Sequence, residues 1–305
     1  MKVLIGMDGS EPAQAALKAF SQTSLAASCE VVLATVAPPL PIYAFAENDV
    51  LPDAPEIERT QMQADQQRLD SLRDEFQSRF ASCQTQVRRG SPSRELLRLG
   101  REFNVDLTLL GAVGHSALSR MLLGSTSDEV ANHAATACLV HRQRSDRNSE
   151  SDENQVTPLL DRVLIAISNH PDEGPLPTWA TRLELAPGTE VHLLHVMETR
   201  PEYDLDLLKR VASYMKEVRS AAWKLMDDVR PELEERQLAV IPAMLEAAHV
   251  GQAIVDYANQ HHCSLIVVGD HEEALLERIL LGSVSRYVVR HADVSVLVAH
   301  SPATE

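Results

Sequence analysis

The chain has 305 residues, about twice an ordinary domain, so two domains are expected. With 44% apolar but only 4% aromatic residues, its cores must be built from Leu, Val, Ile and Ala, which suits parallel strands covered by helices. A net charge of −16, spread along the chain, argues against binding nucleic-acid phosphates or an anionic membrane.

No apolar run approaches the ~18 residues of a membrane span. The opening Met1-Lys2-Val3-Leu4-Ile5-Gly6-Met7-Asp8 reaches an acid too soon for a secretory signal. A cytoplasmic protein is expected. Cys29, Cys83, Cys138 and Cys263 are scattered without a C-x-x-C pair, which fits reduced, mostly buried thiols rather than a zinc ribbon.

In chain order, strands are expected near 2–7, 30–36, 84–89, 105–110 and 137–142. Ser10 is a good N-cap for a first helix with Pro12 in its first turn. Ala13, Ala16, Leu17, Phe20 and Ser24 would form its apolar face. A loop with Pro38, Pro39, Pro41, Pro52 and Pro55 leads to a long polar helix near 57–80, burying Leu69, Leu72, Phe76 and Phe80. Residues 143–158 hold six charges, one Val and a closing Pro, the composition of a solvated linker. Beyond it, strands are expected near 162–167, 189–196, 238–245, 264–268 and 294–299.

The two sides of that linker repeat each other. Val3-Leu4-Ile5-Gly6-Met7 matches Val163-Leu164-Ile165-Ala166-Ile167, and Leu107-Thr108-Leu109-Leu110-Gly111 matches Leu265-Ile266-Val267-Val268-Gly269. Leu122-Leu123-Gly124-Ser125 matches Leu280-Leu281-Gly282-Ser283, His133-Ala134 matches His291-Ala292, and Leu139-Val140 matches Leu297-Val298. Several of these matches keep a constant offset of 158, the mark of a duplication. Strands alternating with helical patterns predict an α/β fold: two tandem Rossmann-like domains, 1–142 and 159–305, each a five-stranded parallel sheet flanked by helices.

Open parallel sheets bind ligands beyond the carboxyl ends of their strands, where the topology reverses. There the first half places Asp8-Gly9-Ser10 after its first strand and Gly111-Ala112-Val113-Gly114-His115 after its fourth. Gly111 and Gly114 carry no side chain to block an approaching ligand. Gly124-Ser125-Thr126-Ser127 then opens a helix whose free N–H groups, hydroxyls and positive dipole end suit phosphate oxygens.

The run G-x-x-G-x(9)-G-S/T, together with V-L-I-x-x-D-G-S and the closing helix-His-Ala-strand segment, resembles the universal stress protein family in its nucleotide-binding branch. The resemblance covers both halves and implies a tandem member, a stress-response regulatory protein holding ATP or AMP, with the accompaniment of magnesium left open. It further implies that Asp8, Val36 and Leu110 meet adenine and that Gly111 approaches the ribose. Gly114, His115, Gly124, Ser125, Thr126 and Ser127 would then surround the phosphates. Because the family's last strand commonly mediates dimerisation, strand 137–142 should pair with 294–299 as an intramolecular pseudo-dimer, with a further homodimer an open alternative.

The second half departs from the motif: Ser168 stands for Asp8 and Glu272 for Gly114. A carboxylate ~4 Å from a phosphate costs ~1 kcal/mol per charge in water and ~4 at an effective dielectric near 20. That half is therefore expected to be degenerate for nucleotide, with an uncharged or cationic ligand, or a metal on Glu272, as the alternative. Features in both halves, such as Arg120/Arg278 and His133/His291, read as scaffold. His192 and His195 project to opposite faces of a strand, and His261-His262-Cys263 lack a second ligand cluster, so no metal site is expected. Without G-x-x-x-x-G-K-[ST], efficient phosphoryl transfer is not expected. Two alternatives stand beside nucleotide regulation: a protein-binding scaffold with empty sites, and a weak ATPase using Asp8 as base.

Overall fold

A computed structural model describes residues 1–39, 54–113, 123–143, 158–168, 176–199, 205–270 and 281–300. The strands are β1 (Lys2–Gly6), β2 (Glu30–Ala37), β3 (Ser82–Arg89), β4 (Leu107–Gly111) and β5 (Ala137–His141) in the first half. The second half has β6 (Arg162–Ile167), β7 (Glu190–Glu198), β8 (Ala239–Ala247), β9 (Leu265–Gly269) and β10 (Ser295–Ala299). All ten lie within one or two residues of the expected spans. The helices are α1 (Glu11–Ser21), α2 (Ala54–Phe76), α3 (Pro92–Glu102), α4 (Ser125–His133), α5 (Leu176–Arg182), α6 (Leu205–Glu235), α7 (Val250–Gln260) and α8 (Ser283–His291).

Two helices end earlier than their periodicity predicts. Thr23 Oγ1 donates to Phe20 O at 2.7 Å, so a side chain takes a carbonyl at the end of α1. Ser24, expected on the apolar face of α1, is instead exposed in a 3-10 turn. The second long helix stops at Phe76, and a 3-10 turn at Gln77–Arg79 carries the chain to Phe80 in extended conformation. Phe80 is nevertheless buried, its ring 6.2 Å from that of Phe20.

Strand order is β3-β2-β1-β4-β5-β10-β9-β6-β7-β8 in one ten-stranded sheet. The near-continuous apolar runs of β1, β4, β6 and β9 follow from burial on both faces. On one face Ile5, Leu33, Leu107 and Leu109 meet Leu17, Phe20 and Leu69. On the other, Leu4, Val32 and Val140 pack with Leu99, Val130 and Val288. Pairing is parallel throughout each half, and β1, flanked by β2 and β4, marks the reversal of topology.

Among the described residues one pairing is antiparallel, that of β5 with β10, and it joins the halves. Leu139 faces Leu297, Cys138 faces Val298, and Val140 faces Val296. With an offset of 158, Leu139 meets its own counterpart, and the flanking pairs are exchanged counterparts, the signature of a two-fold axis through Leu139 and Leu297. Burial at this joint pushes the Cys138 thiol up to about 12 and His141 down to about 4. His141 Nδ1 lies 3.0 Å from Ser295 Oγ, and Arg142 Nη1 donates to Val289 O at 2.9 Å. Further along the boundary, Ser24 Oγ donates to Glu184 O at 2.5 Å, and Arg182 pairs with Asp106 at 3.5 Å.

Candidate functional site

Strand register gathers the first-half residues. Gly6 lies opposite Ala34 and Ile5 opposite Leu109, so Asp8, Val36, Leu110 and Gly111 all fall at the carboxyl ends of β1, β2 and β4. Thr35 Oγ1 donates to Met7 O at 2.7 Å, fixing where β1 ends and the Asp8 turn begins. Gly9, at φ 80°, makes that turn possible in a region that L side chains rarely enter.

Asp8 is exposed, and its Oδ1 accepts from both the Ser10 N–H (2.9 Å) and the Ser10 hydroxyl (2.5 Å). Ser10 Oγ in turn accepts from Ala13 N–H at 3.4 Å, so the cap of α1 holds the carboxylate in place. Among the described residues, Asp8 Oδ2 takes no hydrogen bond. Val36 is half-buried and Leu110 buried.

Gly124 caps α4 without a side-chain hydrogen bond. The first helical N–H with a partner there is that of Asp128, which donates to Gly124 O at 2.8 Å. Among the described residues, the N–H groups of Ser125, Thr126 and Ser127 take no hydrogen-bond partner, and they stand at the positive end of the helix. The Ser125 side chain is exposed and that of Thr126 half-buried. The Ser127 hydroxyl is committed elsewhere: it is buried and donates to Gly111 O at 2.7 Å. Ser127 thus offers its backbone N–H, not its hydroxyl.

Gly111 has a packing role that sequence reasoning missed. A Cβ there would stand 2.8 Å from Pro12 C and 2.9 Å from Ala13 N, so α1 fills the space a side chain would need. Gly114 and His115, with Arg120, lie outside the described residues, as do Glu272 and Arg278 in the second half.

The second half repeats the framework with different side chains. Ser285 Oγ donates to Gly269 O at 2.5 Å, copying Ser127 and Gly111. His195 Nδ1 stands 3.0 Å from Ile167 O, taking the place of Thr35 against Met7. Burial lowers the pKa of His195, and also that of His192, whose Nδ1 lies 3.0 Å from Tyr257 Oη on the opposite face. His133 and His291, present in both halves, each reach back one turn, to Glu129 O and Tyr287 O.

One pair crosses between the halves at this site. Arg290 Nε and Nη2 meet Asp128 Oδ1 and Oδ2 at 3.0 and 2.8 Å. Its two-fold mate joins Arg286 Nε to Asn132 Oδ1 at 3.3 Å. Sequence reasoning missed both pairs. Laying α4 on α8 would have exposed them, because Asp128 and Asn132 align with Arg286 and Arg290.

This duplicated doubly wound sheet, with a capped helix start beside its reversal point in each repeat, defines a tandem Rossmann-like α/β protein. A sequence model of the universal stress protein family matches residues 1–142 and again 160–300. The chain therefore belongs to the universal stress protein family, as a tandem of two such domains. A universal stress protein of Methanocaldococcus jannaschii is 32% identical over 119 residues, 38% of this chain and 68% of that protein. Among solved structures, a universal stress protein of Archaeoglobus fulgidus superposes with a TM-score of 0.61 at 20% identity, covering 100% of this chain and 97% of its own. A Pseudomonas aeruginosa protein of unknown function also gives 0.61, at 12% identity, with 99% and 92% covered. At such identities the structural likeness speaks for the fold. No helix among the described residues is long and apolar enough to cross a membrane.

Proposed function

We propose that the chain is a nucleotide-binding regulatory protein that holds one adenine nucleotide, ATP or AMP, in its first repeat. The observation that carries this reading is the convergence of an exposed, pre-positioned carboxylate at Asp8 with the open amides of Ser125, Thr126 and Ser127 at one sheet end. Asp8 accepts from the amino group of adenine, Val36 and Leu110 supply an apolar edge, and the helix start receives phosphate. The second repeat keeps the helix start but has Ser168 for Asp8 and Glu272 for Gly114. It therefore lacks the adenine acceptor and carries an acidic residue where the motif has a glycine. Asp8, with Oδ1 already engaged by Ser10, is a fixed acceptor, which favours holding nucleotide over hydrolysing it. Regulation then rests on occupancy, with the two repeats acting as a pseudo-dimer within one chain.

Calorimetric titration of ATP and AMP into the full chain, with and without magnesium, tests this. One site per chain is expected, abolished by Gly114→Glu with the melting temperature unchanged. Two sites would overturn the assignment to the first repeat alone, and none would overturn the nucleotide reading.

A further inference from the structure

Asp128 sits where an anion site should not carry a carboxylate. It is the fourth residue of α4, so its Cα stands about 4.5 Å along the axis from that of Ser125. Helix side chains also lean toward the N-terminus. A carboxylate there favours the bare helix but repels phosphate arriving at the same end. In a chain of net charge −16, no general positive field offsets it.

The structure answers this from the other repeat. Arg290 grips both carboxylate oxygens of Asp128 in a two-pronged contact, a geometry that guanidinium forms and ammonium does not. The two-fold relation makes the source specific. In a pair of first repeats, the position facing Asp128 would hold Asn132, which brings no charge. In the second repeat that position is Arg290. Complementary charge has therefore been divided between the copies, and the repeat without a complete motif supplies the cation.

We infer that Arg290 is a specificity-determining residue for the first repeat's anion site, which it completes by neutralising Asp128. This rests on the nucleotide reading above and gives the second repeat a task in it. It acts through Asp128, as a positioning residue without contact to ligand.

ATP and AMP are titrated into the full chain as wild type, Arg290→Gln, Asp128→Asn and the double variant, at low and high salt. Arg290→Gln is expected to weaken ATP about five- to tenfold at low salt, and AMP less because AMP carries fewer charges. The loss should shrink as salt screens the half-buried carboxylate. Adding Asp128→Asn should restore wild-type affinity, which loosening of the joint between repeats would not allow. Unchanged affinity in Arg290→Gln, or a loss that Asp128→Asn leaves in place, overturns the inference while the nucleotide reading stands. A wild-type chain that binds neither nucleotide removes both.

Discussion

The hydroxyl of Ser127 donates to the carbonyl of Gly111 at 2.7 Å, and Ser285 makes the same bond to Gly269 in the second repeat. Each bond ties the start of a helix to the end of the strand before it. Because the bond is present in both repeats, it belongs to the scaffold and not to the ligand. Removing it leaves a part-buried carbonyl short of a donor, at about 1–2 kcal/mol. Ser127→Ala and Ser285→Ala should each lower unfolding free energy by that amount in urea titrations, and Ser127→Ala should leave nucleotide affinity within about twofold. A large affinity loss at unchanged stability would return the Ser127 hydroxyl to the ligand.

The strand-ending glycines should respond differently to a methyl group. At Gly111 the intruding Cβ meets the backbone of Pro12 and Ala13 below 3 Å, and backbone within a capped helix start cannot yield cheaply. At Gly269 the nearest atom is Leu176 Cδ1 at 3.4 Å, the tip of a flexible side chain. Gly111→Ala should cost about 1–3 kcal/mol, as overpacking does. Gly269→Ala should be near neutral, since reduced unfolded-state entropy offsets mild crowding. Equal costs in denaturant titrations would mean that α1 does not hold Gly111 as described.

The contrast between these glycines shows where sequence reading succeeds. The strands were legible because burial on both faces demands unbroken Val/Leu/Ile runs, and the duplication because whole segments recur at a fixed offset. Ser10, Gly124 and Pro12 announced helix starts because capping is local chemistry. The role of Gly111 was not legible, because its reason lies in Pro12, almost a hundred positions earlier in the chain. Asp128 and Arg290 were invisible for the same cause: each is an ordinary surface charge until the two-fold axis brings them together. Ser24 misled because 3.6-residue periodicity continues on paper after the Thr23 hydroxyl has taken a helix carbonyl.

Acid should weaken the joint between the repeats. His141 is buried there, and desolvation lowers its folded pKa from 6.5 to about 4. The folded state then holds His141 neutral where the unfolded chain is protonated, so stability falls as pH drops from about 6.5 toward 4 and is flat above. The full effect of this one group is about 3 kcal/mol. His192 and His195, also lowered by burial, add to the same slope. Urea titrations between pH 4.5 and 7.5 should show the decline, and His141→Gln should flatten part of it. An unchanged slope in that variant would place the acid sensitivity elsewhere.

The axis through Leu139 and Leu297 should make the two repeats unfold as one body. Both side chains are almost wholly buried and face each other across the antiparallel junction of β5 with β10. Opposed side chains in such a pair stand about 5 Å apart at Cβ, so each is a wall of the other's cavity. Leu139→Ala and Leu297→Ala should each cost about 2–5 kcal/mol. The double variant should cost less or more than their sum by about 0.5–3 kcal/mol, because contacting residues are not additive. Calorimetry should show one transition in the wild-type chain and the same single transition, shifted down, in either variant. Two separate transitions in the wild type, or strict additivity in the cycle, would mean that the sheet is continuous in hydrogen bonding but not in cooperativity.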